Sequence, residues 1–347
     1  MADIALDADA VLRLAAALFE AHGTAPDDAR ELADMLVSAD LEGVASHGCA
    51  LIPMYLERIV AGSVLPSARP RVAEAHGALI AVDAGHGLGS VSSRFAVAAA
   101  VEAAREHGVA LVSVRHAFHF GAGAYWARRI AAQGMIGCAF SNTRPLMPAP
   151  GGAQRVVGNN PLSIAFPSGG DPLVVDMATS ASAMGKIRNA AAQGKAIPSG
   201  WATDDQGHDT TDPQAAIAGM LLPTGGPKGF GLAVAIDLLC GALSGGAVGK
   251  DVRPLYGDPA VPYDCAHAFI AIDAARANAG QGIAAQVARF AQDIRDSARA
   301  PGVDRIHAPG DLERARRQAA RGRCAFDDGL VRKLNALAEQ AGVPQRL

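Results

Sequence analysis

Charged and aromatic residues are both scarce in this chain. Of 347 residues, 19% are Asp, Glu, Lys or Arg and 5% are Phe, Trp or Tyr. The net charge is −3 and the Lys and Arg residues are dispersed, so there is no basic stripe to bind a nucleic acid. The five cysteines (Cys49, Cys138, Cys240, Cys265 and Cys324) are odd in number, far apart and without C-x-x-C spacing. That excludes a disulfide framework and a thiolate metal site, and it suits the reduced thiols of a cytoplasmic protein. The first residues, Met1-Ala-Asp-Ile-Ala-Leu-Asp, carry acids where a signal peptide carries basic residues. One apolar stretch, Gly229 to Gly249, raises the question of a membrane span, but Asp237 lies within it. A central Asp costs roughly 2.5–3.5 kcal/mol on insertion scales, so a buried helix is expected there and no membrane partner. A dinucleotide fingerprint is missing too. Gly85-His-Gly-Leu-Gly89 reads G-x-G-x-G, and the next expected strand ends in Val114-Arg115 with no acid for a ribose.

Half of the residues are hydrophobic, enough for a sizeable core, and the length suits two domains or one large one with an insertion. Apolar spacing predicts a helix over 8–22, closed by Gly23, and a second capped by Thr24 with Pro26 in its first turn. A third helix is expected from about Cys49 to Val60. Strands are expected at 79–83, 109–114, 135–141, 162–166, 173–176 and 304–308. Helices are expected at 90–106, 122–133, 180–194, 229–244, 280–298, 311–321 and 327–341. Residues 143–160 read as a long ordered loop, and 196–227 as mostly loop.

Polar groups beside small residues mark the candidate site, because small residues let a backbone approach a ligand closely. Ser46-His47-Gly48 comes first. Histidine exchanges protons near neutral pH, and Ser46 can orient the ring. Helical spacing would put His47, Leu51 and Tyr55 on one face. A capping Ser followed by a surface His fits the same spacing. His116 and His119 are three apart, but no Cys, Asp or Glu lies at ligand spacing, so no metal is expected. His119-Phe120-Gly121-Ala122-Gly123 opens a helix and could offer N–H groups to a phosphate, or be a structural His beside a turn. Asp176, at the end of a strand, can hold a ribose or cap the next helix. Lys228, after Gly225-Gly-Pro, can meet a phosphate or carboxylate, or be solvated.

Taken together and in this order, the motifs resemble the malate/L-lactate dehydrogenase type 2 family, which includes ureidoglycolate dehydrogenase, 2,3-diketogulonate reductase, sulfolactate dehydrogenase and Δ1-piperideine-2-carboxylate reductase. The resemblance runs from Ser46-His47-Gly48 to Pro309-Gly310. It implies an α/β, L-sulfolactate dehydrogenase-like and non-Rossmann fold, with a largely antiparallel cofactor-binding sheet and helical ends packed together. Residues 1–115 and 309–347 would form the helical domain carrying His47, and 116–308 the NAD(P)-binding domain. The implied protein is a homodimer that transfers hydride between NAD or NADP and a small 2-keto or 2-hydroxy acid. His47 would be the proton donor and acceptor, oriented by Ser46, with His119 as the second candidate. Cofactor contacts would come from residues 119–123, Asn159, Asn160, Asp176, Met177, Ala178, Lys228, Gly229, Pro309 and Gly310.

Two departures bear on the substrate. Many members carry Arg four residues after the catalytic His, where it can grip a carboxylate in bidentate fashion; Leu51 stands there in this chain. Arg144, in Asn142-Thr-Arg-Pro145, is the expected replacement, with Tyr55 and Lys186 as further substrate contacts. By the same resemblance, the family's cyclic-imine reductases use an Asp at the position of Lys186, which favours a hydroxy-acid dehydrogenase over an imine reductase. A binding protein that has lost catalysis is the third reading.

Overall fold

The computed structural model describes residues 3–347. The chain enters through strand β1 (Ile4–Asp7) and helices α1 (Ala8–Ala21) and α2 (Pro26–Leu41). Two 3-10 turns, Ala45–His47 and Cys49–Leu51, lead into α3 (Ile52–Val60). Next come β2 (Arg71–His76), β3 (Leu79–Asp83), α4 (Gly89–His107), β4 (Val109–Ala117), α5 (Gly123–Ala131) and β5 (Ile136–Ser141). The middle of the chain holds the small hairpin β6 (Met147–Pro148) and β7 (Arg155–Val157), then β8 (Leu162–Phe166), β9 (Leu173–Met177) and α6 (Met184–Ala192). After β10 (Ala202–Thr203), α7 (Pro213–Ala218) and β11 (Met220–Leu221), helix α8 (Pro227–Asp237) continues into a π-helical turn at Leu238–Ala242. The last elements are β12 (Cys265–Ile272), α9 (Ala274–Ala277), α10 (Ala284–Asp296), α11 (Asp311–Ala320), β13 (Arg323–Phe326) and α12 (Asp328–Gln340).

Seven strands form one sheet in the order β2-β3-β4-β12-β5-β8-β9. Only β3 and β4 run parallel, joined by the crossover helix α4; every other neighbouring pair is antiparallel. The fold is therefore mixed α/β with a mostly antiparallel sheet, as expected. The helical ends do meet: β1 pairs with β13, from Ile4 opposite Phe326 to Asp7 opposite Arg323, and Asp7 caps α1 through the Ala10 N–H. One apolar core runs from Leu14, Phe19 and Leu36 through Val112 and Phe269 to Leu334. A second, smaller core (Met147, Val157, Ile187, Leu221 and Ala233 among its members) lies under the 146–234 segment. A division of the chain at 115/116 would fall inside β4.

Several local expectations need correction. Thr24 does not cap α2: the N-cap is Ala25, and the Thr24 hydroxyl is buried without a partner. The expected helix from Cys49 starts as a 3-10 turn and becomes α-helical only at Ile52, where Pro53 suits a first turn. The 143–160 loop contains β6 and β7, and α6 is shorter than 180–194. Residues 304–308 form no strand: Asp304 and Arg305 interrupt the apolar pattern, and the segment joins none of the sheets. Strands β2, β12 and β13 were not anticipated. β12 is the consequential one, because Cys-Ala-His-Ala-Phe-Ile-Ala-Ile sits at the centre of the sheet, buried on both faces, and so shows no alternation.

Candidate active site

His47 sits in the 3-10 turn between α2 and α3, and its Nδ1 lies 2.9 Å from the Ser46 hydroxyl. The turn is wrapped on Asp40, in the last turn of α2. Asp40 Oδ2 accepts the Cys49 N–H at 2.8 Å, and a Cβ on Gly48 would lie only 1.9 Å from Asp40 Oδ1, so any larger residue would displace that carboxylate. Burial pushes the Asp40 carboxyl up to about 6, against the hydrogen bond from Cys49. Burial also lowers the His47 imidazole below its ordinary value, since a cation is poorly solvated there.

His119 follows β4 and stacks on His47, with ring centroids 5.5 Å apart and planes 26° from parallel. The Tyr55 hydroxyl reaches His119 Nδ1 at 2.6 Å. Burial holds the phenol well above its usual range, so it keeps its proton and donates it to Nδ1. A neutral His119 then carries its own proton on Nε2. Burial, then the neighbouring His47 and His267, hold the His119 imidazole far below its ordinary value. Both rings are thus held below the ordinary imidazole range, His119 the more strongly, and a neutral His119 has an Nε2–H to donate. The structure corrects the expectation for Tyr55. It is fully buried behind His119 and supports that ring from α3 rather than facing a substrate, and Leu51 is buried as well.

The backbone of 118–120 is tightly confined. A Cβ on Gly89, the first residue of α4, would come within 2.3 Å of the Phe118 and His119 carbonyl oxygens. The Trp126 indole donates to the Phe120 carbonyl at 2.7 Å. Phe120 is buried, and Gly121 packs against Met35 with φ of 74°.

The Arg144 segment hangs on a buried polar network. Asn142 donates to Asp237 at 2.9 Å and accepts from the Ala266 N–H at 2.7 Å. Asn160, fully buried, accepts from the Thr143 N–H at 2.8 Å and donates to the Ala233 carbonyl at 2.9 Å. Its side chain is therefore committed to the protein, whereas Asn159 is half-exposed. Arg144 itself is half-buried and, among the described residues, has no hydrogen bond or ion pair. Burial and the nearby Arg155 and Arg188 lower its guanidinium. Tyr263, a neighbour of Arg144, is buried edge-on to Phe118 at 6.3 Å, which ties this corner to the His119 turn.

Asp176, next to last in β9, accepts from the Ser163 hydroxyl, and its carboxylate lies beside Gly123 at the start of α5. Two other helix starts are free. Neither α6 nor α8 has a side-chain cap, and Gly225 and Gly226 have positive φ with open space where a Cβ would go. The two starts are brought together by the Ser180–Pro223 bridge. Exposed Lys186, Arg188 and Lys228 stand around them, with buried, unpartnered hydroxyls on Thr179 and Ser182. Met177 is exposed and Ala178 half-buried. The Pro309 carbonyl accepts from Val174 N–H at 3.2 Å, which sets Pro309-Gly310 against β9.

Sequence reading missed Asp40, His267, Tyr263 and Ser163. The hydrophobic run containing His267 was the available signal for a buried strand. Among the described residues, no group of three or more His, Cys, Asp or Glu could hold a metal, and no helix is long and apolar enough to cross a membrane.

A stacked imidazole pair, His47 and His119, thus lies at the centre of the candidate site, on a mixed α/β scaffold. The chain belongs to the malate/L-lactate dehydrogenase family, whose model matches residues 6–335. It is 34% identical to the L-sulfolactate dehydrogenase of Methanocaldococcus jannaschii over 92% of each chain. The solved structure of the sulfolactate dehydrogenase from that organism superposes with a TM-score of 0.92 over 98% of both chains at 32% identity. The (2R)-3-sulfolactate dehydrogenase (NADP(+)) of Chromohalobacter salexigens is 38% identical over 77% of this chain and 80% of its own. The Δ1-piperideine-2-carboxylate reductase of Pseudomonas syringae pvar. tomato has a TM-score of 0.86 at 30% identity, over 96% of this chain and all of that one. These relationships make the protein an oxidoreductase of the 2-hydroxyacid dehydrogenase type.

Proposed function

We propose that this protein transfers hydride between NAD or NADP and a small 2-keto or 2-hydroxy acid. The observation that carries the reading is the stacked pair His47 and His119, both held neutral by burial. The cofactor, when bound, supplies or receives the hydride. In oxidation, neutral His47 takes the hydroxyl proton; in reduction, its imidazolium returns one to the carbonyl oxygen. Ser46 keeps the ring in one orientation. His119 donates from Nε2 to the same oxygen, where negative charge develops in the transition state. Arg144, without a protein partner, takes the substrate carboxylate in the bidentate manner that Leu51 cannot.

The free starts of α6 and α8 suit the phosphates of the cofactor. Their N–H groups and dipoles favour anions, and Lys186, Arg188 and Lys228 add cations. Asp176 with Ser163 suits a ribose hydroxyl, and Asn159, Met177, Ala178, Gly229, Pro309 and Gly310 complete the wall. We propose a homodimer as well, on the exposed Leu232, Leu238, Leu239 and Leu243 of α8 and the turn that continues it. Light scattering should return twice the 35.3 kDa of one chain.

The test is a spectrophotometric screen of NADH and NADPH against pyruvate, oxaloacetate, sulfopyruvate, 2,3-diketogulonate and pyrroline-2-carboxylate. Turnover on a keto acid supports the reading and selects the cofactor. Turnover on the cyclic imine alone replaces it with an imine reductase. Cofactor binding without turnover on any compound replaces it with a non-catalytic binding protein.

A further inference from the structure

His267 is fully buried in β12, between β4 and β5, where it pairs in register with Val114 on one side and Ser141 on the other. Its Nε2 lies 3.0 Å from the Phe118 carbonyl and its Nδ1 3.0 Å from the Ser141 hydroxyl. A carbonyl only accepts, so Nε2 carries the ring proton. Burial brings the imidazole down to about 4, so the ring is neutral, and its bare Nδ1 can accept from the Ser141 hydroxyl, which also lies 3.0 Å from the Asn142 carbonyl. The same ring lies flat on Phe120, with centroids 4.3 Å apart and planes 6° from parallel. His267 thus holds both residues that flank His119, one by its carbonyl and one by its side chain. From the opposite side, Gly89 presses on the Phe118 and His119 carbonyls. The His119 side chain is in turn held at Nδ1 by the Tyr55 hydroxyl, with the Gly121 N–H reaching the same atom at 3.4 Å.

We propose that His267 is a positioning residue that sets the direction in which His119 presents its Nε2–H to the reacting oxygen. The inference rests on the reading of His119 as an N–H donor in hydride transfer. No other side chain donates to the Phe118 carbonyl among the described residues. A change at His267 therefore reaches the site through the backbone of a single residue.

Two amide substitutions separate aim from packing. His267→Gln can place an N–H where Nε2 stands and keep the bond to Phe118. His267→Asn can reach only Ser141. Both remove the aromatic face, so they disturb Phe120 alike. With NADH or NADPH and oxaloacetate, the Gln variant should stay within about 3-fold of the wild-type kcat. The Asn variant should lose about 10-fold or more with little change in KM, as expected when a transition-state contact is misaligned. Nitrogen NMR of histidine-labelled protein should show the His119 ring signals shifted in the Asn variant and unchanged in the Gln variant. Equal losses in the two variants, or unchanged His119 signals in the Asn variant, would overturn the proposal. So would wild-type protein in which His267 carries its proton on Nδ1, a result that needs no variant to fold. If the wild-type enzyme turns over no keto acid, the functional reading fails, and the ring signals still decide whether His267 aims His119.

Discussion

His116 and His119 lie three residues apart at the end of β4 and do opposite things. His116 is bonded to a carboxylate, with Nδ1 2.9 Å from Asp83 Oδ1, and a third of its side chain is exposed. Its backbone is left-handed, with φ of 50°, and its ring lies 5.1 Å from that of His86, which is left-handed as well. His119 has no carboxylate near its ring; its partners are a phenol and a second imidazole. Burial pushes the Asp83 carboxyl up, but the bonds from His116 and the Gly85 N–H outweigh this and bring it down to about 2. Asp83 is therefore an anion at any working pH and anchors His116 at the end of β4. The difference lies in the partners: His116 is tied to an anion, whereas the partners of His119 leave its ring neutral, with Nε2–H available to donate.

The sharpest way to break this comparison is to remove each ring in turn. His47→Ala should lower kcat about 10³-fold and His119→Ala about 10²-fold, from loss of the proton carrier and of one oxyanion donor. His116→Ala should leave kcat within about 3-fold, because its ring faces no reacting atom. Steady-state kinetics on the three proteins checks this, and a large loss in the His116 variant would reverse the assignment. Arg144→Ala should raise KM about 10- to 100-fold with a smaller effect on kcat, the value of a charged hydrogen-bonded pair. An unchanged KM would leave the carboxylate without its proposed anchor. Asp83→Asn should cost on the order of 2 kcal/mol at pH 7, read by denaturant unfolding, and leave activity alone. The sign follows from the depressed carboxyl. Its stabilisation is present above the ordinary carboxylate range and is lost as pH falls toward 2, so wild type and variant should converge in acid.

How much of this was legible in the sequence differs between the two halves of the site. His47, Ser46 and His119 stand in short motifs with small residues, so motif reading could single them out, and the structure brings them together. Their supports are remote in sequence. Asp40 reaches back to Cys49 across a turn, and His267 meets Phe118 only because β12 inserts between β4 and β5. No local period encodes that insertion, since β12 is apolar on both faces and reads equally as strand or buried helix. Asp237 was visible only as an obstacle to a membrane span. In the structure it holds Asn142, and through it the Arg144 segment. Asn160 shows the reverse error. Its motif pointed to the cofactor, yet both ends of its amide are bonded within the protein. The strand expected at 304–308 failed because Asp304 and Arg305 break its apolar pattern, and only Pro309 just beyond it bonds to β9.

The most direct test of the central claim is the pH dependence of kcat/KM in both directions, for wild type and His47→Ala. Burial lowers His47, so the pair should titrate below the ordinary histidine range. Reduction needs the imidazolium and should decline as pH rises through that midpoint. Oxidation needs the neutral ring and should be lost as pH falls through it, and both limbs should vanish in the variant. Profiles that keep the same limb without His47, or that show none in the wild type, would contradict proton transfer by this pair.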